Sequence, residues 1–239
     1  MAVNTSIHLY VINLDRDIDR WDSVLNESAH GFIETHRVKA IDARDLPSQD
    51  FVAPGVHAAW LSHLKAINAF LETGLDFAII AEDDFHIKKP SDLLTYIKTL
   101  SNLDWDMVQF GFLKPGIDTR IKLLISYFES IIFKYLGILS QMPGLASRKF
   151  SSRMRVRQSL TTPKGFVIDD CQPGAHFYLV TRSFCQSIST LNNPQFLSID
   201  DFYTALSRMR TFRMLRVKKN LVTQKPFTAW AGPRFKRSL

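Results

Sequence analysis

The chain has 239 residues, room for one substantial domain with a full core or two small ones. Hydrophobic residues make up 46% and charged residues 22%, a balance that excludes wholesale disorder. A net charge of +7 and a pI near 9.5 point to polyanionic partners (nucleotide phosphates, anionic lipid headgroups or nucleic acid) without choosing among them.

Cys171 and Cys185 are the only cysteines, too few for a disulfide framework or a zinc site, so a reducing compartment is expected. The first residues lack the basic start and apolar core of a signal peptide. No apolar run reaches the roughly 20 residues that a membrane-spanning helix needs. The expectation is a cytoplasmic protein, soluble or peripheral on the inner face of the membrane.

In chain order, Ile7-His8-Leu9-Tyr10-Val11-Ile12 reads as a first strand, followed by the polar turn Asn13-Leu14-Asp15-Arg16-Asp17. A helix is predicted over 17–29, ending near Gly31, and a second strand over 32–40. Pro47, Pro54 and Gly55 mark a loop. The helix over 56–72 has the clearest periodicity, with Trp60, Leu64, Ile67 and Leu71 on one face and Gly74 as its stop. Next comes Phe77-Ala78-Ile79-Ile80-Ala81, a buried strand that runs straight into Glu82-Asp83-Asp84. A helix over 90–100 and a strand over 107–112 complete the first half.

Strands alternating with helices imply a mostly parallel sheet covered on both faces. The pattern then breaks. Between Phe112 and Phe166 the only acids are Asp118 and Glu129, set among many lysines and arginines. Ile121, Leu124, Ile125, Phe128, Ile132, Tyr135, Leu136 and Leu139 form an apolar stripe there, which predicts an amphipathic helix followed by a basic stretch. A strand over 175–181 resumes the α/β pattern, then a helix over 182–191, a helix opened by Asp200-Asp201, a strand over 217–223 and a basic tail. One domain over 1–239 is expected, with an insert at about 113–166 and a tail at about 225–239.

Three adjacent carboxylates raise one another's pKa unless a cation offsets them. Oxygen-rich clusters suit Mg²⁺ or Mn²⁺, which also bind phosphate oxygens. The carboxyl end of a strand is where open α/β sheets hold ligands. The cluster therefore reads as a metal–diphosphate site, against the alternative of a solvated acidic turn. Asp84 is favoured as a direct metal ligand, with Glu82 or Asp83 acting directly or through water, and Asp83 also counts among the donor-binding candidates. Alternation along the strand puts Glu82 and Asp84 on one side and turns Asp83 away unless the strand has already broken.

Four stretches, in order, resemble glycosyltransferase family 25, the lipopolysaccharide and lipooligosaccharide glycosyltransferases. Val11 to Arg20 looks like its opening strand and donor loop. Gly55-Val56-His57-Ala58-Ala59-Trp60-Leu61-Ser62-His63 looks like its Gly-x-x-Gly-Cys-x-x-Ser-His helix, with Ala58 and Ala59 in place of the Gly-Cys pair. Ala78 to Phe85 looks like its Glu-Asp-Asp strand, and Gly174 to Thr181 like its Gly-x-x-x-Tyr-x-Ile-Ser strand. The resemblance implies a GT-A-like (Rossmann-like) α/β fold, a nucleotide-sugar donor and an inverting, metal-supported transfer. A UDP-sugar, with UDP-galactose as one candidate, and a lipopolysaccharide, lipooligosaccharide or related glycan or glycolipid acceptor are the implied partners.

Inversion requires a general base. Asp200 and Asp201 are candidates, with helix capping as the alternative role, and Asp169 and Asp170 form a weaker acidic pair. Asn13, Asp15, Arg16 and Arg20 sit where a βα loop meets the donor. Ser62 and His63 could touch donor or metal, and His176 could be a third metal ligand; a structural histidine packed in the core is the alternative for each. The amphipathic insert suits an anionic membrane surface or simple packing on the sheet. Two rival classes are a basic nucleic-acid-binding protein and an inactive transferase fold kept as a membrane scaffold. Acids at the strand tip would repel nucleic-acid phosphates in the absence of a metal, which counts against the first.

Overall fold

β1 (Ile7–Asn13) and β3 (Phe77–Glu82) have no polar face along most of their length. Leu9, Val11, Ile79 and Ala81 join one buried cluster, while Tyr10, Ile12, Ala78 and Ile80 join the other. A strand of this kind must be covered on both sides. The structure, a computed structural model, describes residues 6–47, 53–113, 163–190 and 197–225.

One face is covered by α2 (Pro54–Leu71), α4 (Arg182–Ser189) and α5 (Ile199–Met209), through Trp60, Ile67, Phe70, Phe184, Ile188, Phe202 and Leu206. The other is covered by α1 (Ile18–Ser28) and α3 (Pro90–Leu100), through Val24, Leu93, Ile97 and Leu100. The Arg182 guanidinium locks the end of α2, donating to the carbonyls of Leu71, Thr73 and Leu75.

The remaining strands are β2 (Ile33–Lys39), β4 (Phe85–Ile87), β5 (Met107–Gly111), β6 (Phe166–Ile168), β7 (Phe177–Thr181), β8 (Met214–Val217) and β9 (Val222–Gln224). Their order is β2-β1-β3-β7-β5-β8-β6, and β9 pairs with β4 and β5. β1 runs parallel to β2 and β3, and β5 runs parallel to β8 and β9. The fold is thus α/β, a mixed sheet with a parallel core and helices on both faces. β7 lies antiparallel between β3 and β5.

Three features depart from the sequence reading. The expected strand over 217–223 is two strands, β8 and β9. Lys218 and Lys219 turn out to solvent between them, and the Asn220 amide donates to the Phe112 carbonyl at 2.7 Å while accepting from its N–H at 3.2 Å. β4 and β6 have only three residues each, too few to register as a period. Where β5 meets β7 the register shifts between Gln109 and Gly111. The Gln109 amide satisfies the backbone beside that irregularity, donating to the carbonyls of Gln172 (2.7 Å) and Gly174 (3.0 Å).

The predicted amphipathic helix at about 113–166 falls almost wholly outside the described residues, and the tail at about 225–239 falls outside them beyond Lys225. Among the described residues, no helix is long and apolar enough to cross a membrane.

Candidate metal and nucleotide site

Parallel pairing of β1 with β3 sets Ile12 opposite Glu82, so Asn13 and Asp83 leave the two strands side by side. The buried Asn13 amide donates to Asp83 Oδ2 at 2.7 Å and to the Asp17 carbonyl at 3.1 Å. Its own oxygen accepts from Arg37 Nε and Nη2 at 2.9 and 2.6 Å. Arg20, in the first turn of α1, donates to Asp83 Oδ1 at 3.0 Å. Arg37, Asn13, Asp83 and Arg20 thus form a charged chain that ties β2, β1, β3 and α1 together. Burial pushes Asp83 up in spite of these donors. Asn13→Ala would leave Asp83 without its Asn13 donor and take from Arg37 the two short hydrogen bonds to the Asn13 oxygen. A loss of about 2–3 kcal/mol is expected in urea unfolding.

The acid cluster splits at the end of β3. Asp83 and Asp84 form a turn, so Asp83 swings to the α1 side. Glu82 keeps the strand alternation and faces α2. There it lies 3.4 Å from Nε2 of the buried His63, whose Nδ1 is 2.8 Å from the Tyr178 hydroxyl. The Tyr203 hydroxyl donates to that of Tyr178 at 3.1 Å. With Glu82 ionised, one proton arrangement satisfies the row: Tyr203 to Tyr178, Tyr178 to Nδ1, and Nε2–H to Glu82. Burial is the largest influence on Glu82 and raises it, but the His63 bond together with the charges of His63, His176 and Arg20 outweighs it and holds the carboxyl below its usual value.

Asp84 has no such support. Its Oδ1 is buried without a hydrogen-bond partner. Burial first, then the charges of Glu82 and Asp83, push it up to about 7. His176 is similar. It lies directly beside β7, its ring 1% exposed, and neither ring nitrogen has a partner in hydrogen-bond geometry. Glu82 N–H donates to the His176 carbonyl at 3.1 Å, and by strand alternation the two side chains share the α2 face. The ring fits only because Gly111 lacks a side chain: a Cβ there would lie 2.4 Å from Nε2.

Beside these acids opens a cleft of about 280 Å³, lined by Arg16, Arg20, Ala58, Ala59, Ser62, His63, Glu82, Asp83 and Asp84 together with Ile12, Leu14 and the 40–43 segment. The structure therefore brings Arg16, Arg20, Ser62, His63 and the three acids together. Arg16 is held by Asp42, which also accepts from Arg44 at 2.7 Å. Ser62 is occupied by the backbone, donating to the Ala58 carbonyl at 2.7 Å and accepting from Ile41 N–H at 2.8 Å. Asp15 lies apart from the cleft, paired with Lys39 at 2.6 Å, a hydrogen bond that keeps its carboxyl below the usual value.

Asp200 and Asp201 separate by helical phase at the start of α5. Asp201 is exposed and belongs to a cap: its N–H donates to Ser198 Oγ at 3.1 Å, and that hydroxyl donates back to Oδ2 at 2.8 Å. Asp200 points inward and accepts from Ala175 N–H at 2.6 Å, one residue before His176. Burial raises its carboxyl, with the negative field of Glu82 adding to the rise. Asp170 is paired with Arg216 at 2.6 Å, away from the cleft.

Arg37, Asp42 and Tyr178 were not singled out from sequence. Tyr178 lies within the Gly174–Thr181 motif; Arg37 and Asp42 give no local signal, because their partners are 24 and 26 residues away.

No family model and no curated protein matches the chain, so the likeness to family 25 rests on the four motifs. Among solved structures, A197 from STIV is similar at a TM-score of 0.39 and 15% identity, over 89% of this chain and 82% of that one. The mannosyltransferase PcManGT from Pyrobaculum calidifontis, in complex with GDP-Man and Mn2+, is similar at a TM-score of 0.48 and 10% identity. That match covers 94% of this chain and 58% of the other.

Proposed function

We propose that the protein is a metal-dependent glycosyltransferase of GT-A type, which moves a hexose from a UDP-sugar to a surface-glycan acceptor of the lipopolysaccharide or lipooligosaccharide class. The observation that carries this reading is the unpartnered, buried Asp84 oxygen beside Glu82, at the carboxyl end of a central strand and facing a cleft with Arg16 and Arg20. An orphaned carboxylate oxygen in a set of hard oxygen donors fits Mn²⁺ or Mg²⁺. Asp84 and Glu82 would hold the ion. His176, on the same sheet face as Glu82, is proposed as a third donor.

The bound ion would act as a Lewis acid toward the leaving diphosphate. The chain's own residues do the rest. Arg16 and Arg20 present guanidinium donors to phosphate oxygens. Asp83, held by Asn13 and Arg20, fixes the Arg20 side chain rather than binding the ion. His63 orients the Glu82 carboxylate through its Tyr178-backed ring. Asp200, half-buried and with its carboxyl raised, is suited to take the acceptor hydroxyl's proton. Attachment to an anionic membrane through the 113–166 segment would place the enzyme at a lipid-linked acceptor.

Isothermal titration of UDP with and without Mn²⁺ tests the reading. Binding that requires the metal is expected. No binding of UDP under any metal condition would sink it, and tight, salt-sensitive DNA binding in its place would promote a nucleic-acid role. Metal-dependent UDP binding with no transfer or hydrolysis would point to the scaffold.

A further inference from the structure

The parallel register of β1 and β2 sets His8 opposite Glu34 and Tyr10 opposite His36. His8, Glu34 and His36 consequently share one sheet face, near the amino end of β1. A ligand atom from each lies within 4.8 Å of the other two. We propose that these three side chains form a second metal site, for a borderline divalent ion of the Zn²⁺ or Ni²⁺ class, which fastens the edge strand β2 to β1.

The chemistry differs from that of the acid cluster. Two imidazoles and one carboxylate suit Zn²⁺, Ni²⁺ or Co²⁺, whereas Mg²⁺ and Ca²⁺ prefer oxygen alone. Without an ion, the three groups are poorly matched. His8 Nδ1 and His36 Nε2 are 2.9 Å apart, so only one proton can sit between them, and two protonated rings would repel. Glu34 reaches both rings only at longer range, 3.8 Å to His8 Nε2 and 3.5 Å to His36 Nε2. An ion would replace the shared proton and neutralise the carboxylate at once.

The site is also preorganised. The His36 ring stacks on Tyr10 (centroids 4.8 Å apart) and lies nearly coplanar with His8, edge to edge, and both strands are locked by the register on either side. Ligand rings already held in place lose little entropy on binding. Glu34 is 53% exposed, which leaves one side open for water to complete the coordination. β2 stands at the edge of the sheet among the described residues, so a clamp here acts on the strand with one free side. From His8 to Asn13 is five residues of strand, roughly 17 Å at 3.3 Å per residue. The two metal sites are therefore at opposite ends of β1, and neither reading depends on the other.

Zn²⁺ titration of the full chain, read by calorimetry and by thermal unfolding, tests the proposal, with Co²⁺ absorption reporting nitrogen ligation. Wild type and Asp84→Asn should each bind one Zn²⁺ through this site, with a rise in melting temperature. Glu34→Gln and His36→Asn should weaken that binding by about a hundredfold or more, beyond the ~10–100-fold that loss of an outer partner costs. If His36→Asn fails to fold, the half-exposed Glu34→Gln still decides the matter. Wild type that takes up no Zn²⁺ or Co²⁺ at nitrogen ligands, or a Glu34→Gln chain that titrates like wild type, would overturn it.

Discussion

Asp84→Asn is expected to abolish metal-dependent UDP binding and, at the same time, to make the metal-free fold more stable. Both effects come from one unpartnered carboxylate. In the folded chain burial, then Glu82 and Asp83, push Asp84 up to about 7 from an ordinary 3.8. A folded-state pKa above the unfolded one means that the folded chain binds the proton more tightly. Stability from this group is intact below about pH 4 and is lost as pH rises toward 7. The full loss is at most about 4 kcal/mol, at ~1.4 kcal/mol per unit, and the partial exposure of the side chain reduces it. Asparagine cannot ionise, so the variant should gain little at pH 4 and about 1–4 kcal/mol at pH 8 in urea unfolding. Mn²⁺ should stabilise wild type at pH 8 and leave the variant unmoved. A variant no more stable than wild type at pH 8, or one still stabilised by Mn²⁺, would remove Asp84 from the site.

The second large effect is expected at Asp200. Asp200→Asn should cut turnover by about 10²–10⁴-fold, the range of a general base, with UDP affinity unchanged. The shape and the hydrogen bond from Ala175 N–H to the side-chain oxygen survive the change. Asp201→Ala is the matched control. It removes half of the Ser198 cap, which should cost about 1 kcal/mol of stability and leave turnover as it was. Equal losses of turnover in the two variants would mean that the start of α5 acts only through folding.

Local chemistry was legible in the sequence where neighbours in the chain are neighbours in space. The Phe77–Ala81 run and its three acids read as a buried strand ending in a ligand site, and the turn after Glu82 then decided which acid points where. The Asp200-Asp201 pair could not be divided by composition; helix phase divides it, one side chain inward and one into the cap. What escaped was cross-strand. Arg37 meets Asn13 only because β1 and β2 run parallel in one register, and Tyr178 meets His63 across 115 residues. The direction of β7 escaped as well, because the strands it pairs with, β3 and β5, lie far from it in the chain. Short β4 and β6 held too few residues to show a period.

The place of β7 bears on how the chain is made. The β1 partner of β3 precedes it in the chain, but its other edge waits for Phe177–Thr181, nearly a hundred residues later. Until then Phe-Ala-Ile-Ile-Ala is an open apolar strand edge, a template for pairing with other chains. A nascent or truncated chain that stops before β7 should therefore depend on a chaperone, and fusions that release residues 1–176 alone should sediment while the complete chain stays in solution.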